Sequence, residues 1–128
     1  MSPKSNIVPL AIRPSEVPLT ALFKALGDEL RINILRVLKE GSLSVTELCH
    51  IFELGQSALS HHLKVMVKAN LLTRRREGTV TFYRRQLAEG HHSALISEAL
   101  HQVDGASLSQ TLTEGMARVR KLREQNSL

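Results

Sequence analysis

A chain of 128 residues, 42% of them hydrophobic, is long enough to bury a core of its own and short for a cofactor-using enzyme. Its formal net charge of +5 is unevenly placed: residues 56–85 hold Lys64, Lys68, Arg74, Arg75, Arg76, Arg84 and Arg85 against Glu77 alone, so this stretch carries +6 and the remainder −1. The single cysteine, Cys49, excludes an intrachain disulfide and a cysteine-rich metal cluster within one chain. Nothing resembles a signal peptide or an apolar span, so a cytoplasmic protein without a membrane partner is expected.

In chain order, residues 1–16 contain Pro3, Pro9 and Pro14 without sustained periodicity and read as a flexible N-terminal arm. A first helix is predicted from Leu19 to Leu26, ending at Gly27. Asp28 then caps a second, running through Lys39, with Leu30, Ile34, Leu35 and Leu38 on its buried face and Gly41 beyond its end. The run from Ser44 to Phe52 reads as a shorter helix, with Ser44 as N-cap and Glu47 completing a capping box. A turn at Glu53, Leu54 and Gly55 leads into a helix from Gln56 to Met66. There Leu59, Leu63 and Met66, with Val67 beside them, form an apolar stripe opposite Ser57, Ser60, His61 and Lys64. Two helices joined by a tight glycine-containing turn make the helix-turn-helix layout, whose second helix enters the major groove of DNA.

The pattern then becomes extended. Leu72 to Arg84 carries β-branched and aromatic residues around Glu77 and Gly78, which predicts a hairpin. A basic hairpin after such a helix is a wing, able to reach the DNA backbone or the adjacent minor groove. Two more helices are expected, about Ala88 to Val103 and Leu108 to Gln125, separated by Asp104 and Gly105. Leu108, Leu112, Met116, Val119 and Leu122 form a stripe that needs a partner, either the same domain or the same helix of a second copy. The expected organisation is an arm over residues 1–16, a winged helix-turn-helix core over 17–87, and C-terminal helices for dimerisation over 88–128. The fold class is mainly α with a small hairpin: five or six helices, a two-stranded wing, and a homodimer formed through the terminal helices.

Together these pieces resemble the ArsR/SmtB family of bacterial winged-helix repressors over about Leu19 to Arg85. Ala25 to Arg31 with Ile34 and Leu35 is similar to that family's entry helix, and Leu43 to Leu48 to its first helix-turn-helix segment. Gln56 and Ser57 through Ser60, His61, His62 and Leu63 are similar to its DNA-reading signature, and Arg75 to Gly78 with Phe82 to Arg84 to its wing. The resemblance implies a homodimeric repressor that sits on an inverted repeat in double-stranded DNA and leaves when an effector binds. Candidate DNA-binding residues are Ser57, Ser60 and His61 for base edges or nearby phosphates, and Gln56 and His62 for positioning the backbone. Lys64, Lys68, Arg75, Arg76 and Thr79 are candidates for phosphate and wing contacts. The plainer readings are that Ser57 only satisfies amides at the helix start and that His62, beside Leu63, is a packed histidine.

The effector stays open between zinc or another divalent metal and a small metabolite. In the arsenic and lead branch of the family, metal-binding cysteines match Ser44 and Thr46 here, and a hydroxyl does not replace a thiolate for a soft ion. Cys49 shares a face with Val45, Leu48 and Phe52 and reads as a small core residue. Sensing through a pair of cysteines is unmatched. Glu89, His91, His101 and Asp104 resemble a second family site, contributed across the dimer, for zinc, nickel or cobalt. However, His91 and His101 have nine residues between them against ten in the family pattern, and one residue turns a helical side chain by about 100°. Some relatives with few cysteines sense S-adenosylhomocysteine or carry a methyltransferase domain after the winged helix, and the charged ending from Arg118 to Asn126 suits a linker to such a domain. Enzymatic activity is not expected, since H-E-x-x-H, a supported serine, histidine and acid set, and a glycine-rich nucleotide loop are all missing. A winged helix used only for protein contacts is the remaining contrast, and it would not need the basic cluster.

Overall fold

The computed structural model describes residues 17–86 and 90–126. The elements run α1 (Leu19–Leu26), α2 (Glu29–Val37), β1 (Leu43–Ser44), α3 (Val45–Phe52), α4 (Gln56–Lys68), β2 (Leu72–Glu77), β3 (Val80–Arg85), α5 (Ser93–Asp104) and α6 (Gln110–Asn126). The expected arm over residues 1–16 lies outside the described residues.

Local capping accounts for the starts of α2 and α3. Asp28 Oδ1 accepts from the Arg31 amide at 3.1 Å, opening α2. At α3 the capping box forms: the Glu47 amide donates to Ser44 Oγ at 3.1 Å, and the Ser44 amide donates to Glu47 Oε1 at 2.8 Å. Burial holds the Glu47 carboxyl up, but the Arg123 guanidinium and the Ser44 amide outweigh it, so its pKa lies below the usual value. Helix α2 stops at Val37, with Leu38 as its C-cap, rather than continuing to Lys39. The C-terminal cap of α3 is Glu53, held at φ 54, an unfavourable left-handed conformation for a side chain with a Cβ.

The sheet has three antiparallel strands in the order β1-β3-β2, one more than the two-stranded wing expected from sequence. The added strand pairs Leu43 with Tyr83 and Ser44 with Phe82, and two residues are too few to carry a period-two signal. It anchors the base of the wing to the start of α3. The core gathers Leu22, Ile34, Leu35, Leu48, Ile51, Leu59, Leu63, Met66 and Leu72, each at most 1% exposed, so α1 to α4 and the wing base share one apolar centre.

The C-terminal helices pack on this core. Helix α5 begins at Ser93, not Ala88: Gly90 sits at φ 83, and His92 is the N-cap residue. The stripe on α6 finds cover within its own chain. Leu112 and Val119 are buried, Leu108 and Met116 are partly buried, and α6 lies along α3. A Cβ on Gly115 would stand 2.9 Å from the Ile51 carbonyl oxygen, so the missing side chain is what allows the two helices to approach this closely. Arg123 closes the far end of the contact, donating to both Glu47 oxygens and to Ser42 O, and Arg118 donates to His50 O. Of the stripe, only Leu122 remains exposed, so this face of α6 is covered by its own chain.

Candidate nucleic-acid interface

Helix α4 is divided by burial. Leu59, Leu63 and Met66 are fully buried, whereas Gln56, Ser57, Ser60, His61, Lys64 and Lys68 are exposed along the opposite side. The helix is anchored by apolar contacts and presents hydroxyl, amide, imidazole and ammonium groups outward. Its N-cap is Gly55, which offers no side chain to the first-turn amides. Those amides and the positive end of the helix dipole therefore face outward, an arrangement suited to a phosphate.

His62 differs from the rest of the expected set. It is half-buried, and its Nδ1 lies 3.1 Å from Nη1 of Arg31 on α2, so it ties α4 to the core. Nothing singled out Arg31 in the sequence, because its partners are distant along the chain.

The wing turns through Gly78 and Thr79, with Gly78 at φ 64, a conformation that glycine takes without strain. The register pairs Arg74 with Tyr83, Arg75 with Phe82 and Arg76 with Thr81. Because side chains alternate along a strand, Arg75 and Arg76 project from opposite faces of the ribbon, and Arg74 shares a face with Arg76. Arg75 is already engaged, its Nε 2.6 Å from Glu77 Oε2 and its guanidinium 5.0 Å from the centre of the Phe82 ring. Arg76 donates to Gly78 O at 3.2 Å, and Thr79 is exposed at the tip. Lys64, Lys68, Arg74 and Arg84 are exposed, and among the described residues none is held in an ion pair. Arg74 and Arg84 were counted in the basic cluster but not singled out.

Among the described residues the candidate metal ligands do not meet within one chain, and the site that the resemblance implies is shared across a dimer. Glu89 lies outside the described residues. Asp104 is held by Arg85, with Nη2 to Oδ1 at 2.7 Å and Nη1 to Oδ2 at 3.0 Å, and this guanidinium keeps its carboxyl below the usual range. His91 precedes α5, while His101 sits in its last turn, roughly 12 Å from the helix start at Ser93 at helical rise. His92 bonds Val17 O at 2.8 Å, linking the start of α5 to the segment before α1. Among the described residues no group of three or more His, Cys, Asp or Glu side chains is arranged to hold a metal ion. Within one chain both Asp104 oxygens are engaged by Arg85. Cys49 is half-buried against the core, and burial pushes its thiol pKa up.

No helix among the described residues is long and apolar enough to cross a membrane. Residues 28–74 match the model of the bacterial regulatory protein, arsR family. The arsenical resistance operon repressor of Bacillus subtilis (strain 168) is 42% identical over 79 residues, which span 61% of this chain and 73% of that protein. The transcriptional activator HlyU of Vibrio cholerae is 40% identical over 82 residues, 64% of this chain and 73% of the relative. A solved structure of HlyU from Vibrio cholerae N16961 superposes with a TM-score of 0.55 at 37% identity, covering 68% of this chain and 91% of that one. The chain belongs to the arsR family of bacterial regulatory proteins, which are DNA-binding transcriptional regulators on a winged-helix fold and not enzymes.

Proposed function

We propose that the protein is a homodimeric repressor that reads an inverted-repeat operator with α4, clamps it with the wing, and leaves it when an effector binds. The observation that carries this reading is the division of α4: a fully buried face of Leu59, Leu63 and Met66 behind an outward row of Gln56, Ser57, Ser60, His61, Lys64 and Lys68. Ser57, Ser60 and His61 are the base-reading candidates. Gln56, Lys64, Lys68, Arg76 and Thr79 contact the backbone, joined by Arg74 and Arg84, while Arg75 has first to leave Glu77. The likeness to the arsenical resistance operon repressor supports repression, with the likeness to the activator HlyU as the contrast.

Support for dimerisation comes from α1 and α5 rather than α6. Leu19 and Phe23, one turn apart on α1, are 45% and 53% exposed, and Leu95 on α5 is 37% exposed. The His92 bond to Val17 O ties the start of α5 to the segment before α1, and these exposed apolar side chains are the candidates for the contact with a second copy. A two-fold axis through it would set the two copies of α4 about 34 Å apart, one turn of DNA.

For the effector, the commitment of Asp104 to Arg85 favours a small metabolite over a metal on Glu89, His91, His101 and Asp104. A cleft of about 550 Å³ between the wing base and α5, bounded in part by Lys39, Arg84, Ser97 and His101, offers room for one.

Fluorescence anisotropy on the DNA upstream of the protein's own gene, at two salt concentrations and in zinc or chelator, tests the reading. Tight, salt-sensitive binding that is equal in zinc and chelator is the expected result. Release by zinc would return the metal to consideration, and no salt-sensitive binding to any DNA would overturn the interface. Sedimentation of the wild type and of Phe23→Glu tests the dimer, with a monomeric variant expected.

A further inference from the structure

One guanidinium joins three elements. Arg31 Nε donates to Ala25 O at 2.9 Å and Nη2 to Lys24 O at 3.2 Å, both at the C-terminal end of α1, where Lys24 O also accepts the Gly27 amide. Nη1 lies 3.1 Å from Nδ1 of His62 on α4. The Arg31 backbone is fixed as well, since its amide is the one that Asp28 caps. The Arg31 side chain is 12% exposed, so the group has little room to turn elsewhere.

A guanidinium has donors and no acceptor. Its contact with Nδ1 is a hydrogen bond only when Nδ1 accepts, which requires a neutral imidazole carrying its proton on Nε2. That N–H lies on the ring edge away from Arg31. His62 stands next to the exposed His61, the two rings meeting edge to face with centroids 5.6 Å apart, at the margin between the buried and outward sides of α4.

We propose that Arg31 is a positioning residue for DNA binding: it holds His62 in the Nε2–H tautomer, aimed to donate to a DNA phosphate oxygen beside the base-reading row of α4. This rests on the reading of α4 as the DNA interface. Phosphate suits a half-buried donor at the helix margin, because backbone contacts orient a helix while base contacts come from its outward row. Arg31 acts through His62 and makes α1, α2 and α4 a single rigid support for the contact. Lysine would not do the same, since its single ammonium does not span the two α1 carbonyls and the imidazole with a planar fork.

The test combines the imidazole tautomer with a double-mutant cycle. Long-range proton–nitrogen spectra of the full chain, with His62 assigned through His62→Gln, are expected to show neutral His62 protonated on Nε2, and Arg31→Gln to give a mixture of tautomers. On operator DNA, Arg31→Gln and His62→Ala are each expected to weaken binding about tenfold, and the double variant no more than either alone. Losses that multiply to about a hundredfold, or a His62 protonated on Nδ1, overturn the inference while leaving the interface intact. No salt-sensitive binding by the wild type would remove the interface and this contact with it. If Arg31→Gln fails to fold, Arg31→Lys replaces it, and the tautomer of the unaltered chain depends on neither variant.

Discussion

Arg85, the last residue of the wing, grips Asp104, the last residue of α5, through both carboxylate oxygens, at 2.7 and 3.0 Å, and also donates from Nε to Leu35 O on α2 at 2.8 Å. The pair is partly buried, with side chains 15% and 25% exposed, and it binds the wing base, the main core and the C-terminal helices at one point. Arg85→Gln is expected to lower stability by about 2 kcal/mol, the scale of a charge-assisted hydrogen bond lost from a poorly solvated site. The pH dependence has a definite sign. Arg85 holds the folded Asp104 carboxyl below its unfolded value, so this contribution is complete above the usual carboxylate pKa of about 4 and is lost as pH falls through the lowered folded value. Thermal melts of wild type and Asp104→Asn should differ at pH 7, begin to approach one another near about pH 4, and converge only below the lowered folded value; a gap that persists there would contradict the assignment.

Alanine normally favours a helix interior over glycine by about 1 kcal/mol. At Gly115 the sign should reverse, because the new Cβ would meet the Ile51 carbonyl oxygen at 2.9 Å and Cα at 3.0 Å, both backbone atoms that cannot swing aside. Gly115→Ala should therefore destabilise the protein by about 1–3 kcal/mol, the usual scale of overpacking. Denaturant melts would show it, and hydrogen exchange should quicken first in α6. A neutral or stabilising change would mean that α6 is not seated on α3 as described.

Asn70 stands at φ 64 just after α4, and its side-chain Nδ2 is buried without a hydrogen-bond partner. Glycine takes this backbone conformation freely and has no amide to leave unpaired. Asn70→Gly is expected to raise stability by about 1 kcal/mol, read as a higher denaturation midpoint with the slope unchanged. Asn70→Ala keeps a Cβ at positive φ and should gain less or lose.

Lys64 and His61 sit three residues apart on the exposed side of α4 and should fail differently. Lys64→Ala should weaken all DNA sequences alike and reduce the salt slope by about 1, as one phosphate contact is lost. His61→Ala should instead compress the gap between operator and non-operator DNA by about 1–3 kcal/mol. Identical behaviour of the two variants would argue against separate phosphate and base roles.

Burial raises the pKa of the Cys49 thiol, so less thiolate is present near neutral pH than for a free cysteine. Reaction with a disulfide reagent at pH 8 should accordingly be slower than with glutathione, and should accelerate when α6 is loosened by Gly115→Ala. A rate above that of a free thiol would show an activated cysteine.

What the sequence determined by itself was local: the amphipathic division of α4, the Ser44 and Glu47 capping box, the glycine turn of the wing, and the clustered charge. Each depends on residues within a few positions of one another, so period, cap and turn chemistry were enough to predict them. Tertiary structure decided the rest. Arg31 and His62 are 31 residues apart and Arg85 and Asp104 are 19 apart, and no spacing rule links such pairs. The α6 stripe announced a buried face without naming its partner, which Gly115 and Ile51 supply through a close backbone approach. Alternation along the strands placed Arg75 and Arg76 on opposite faces of the wing, and the fold engaged Asp104 with Arg85. A sequence records which groups are available, whereas the fold determines which of them are already occupied by one another.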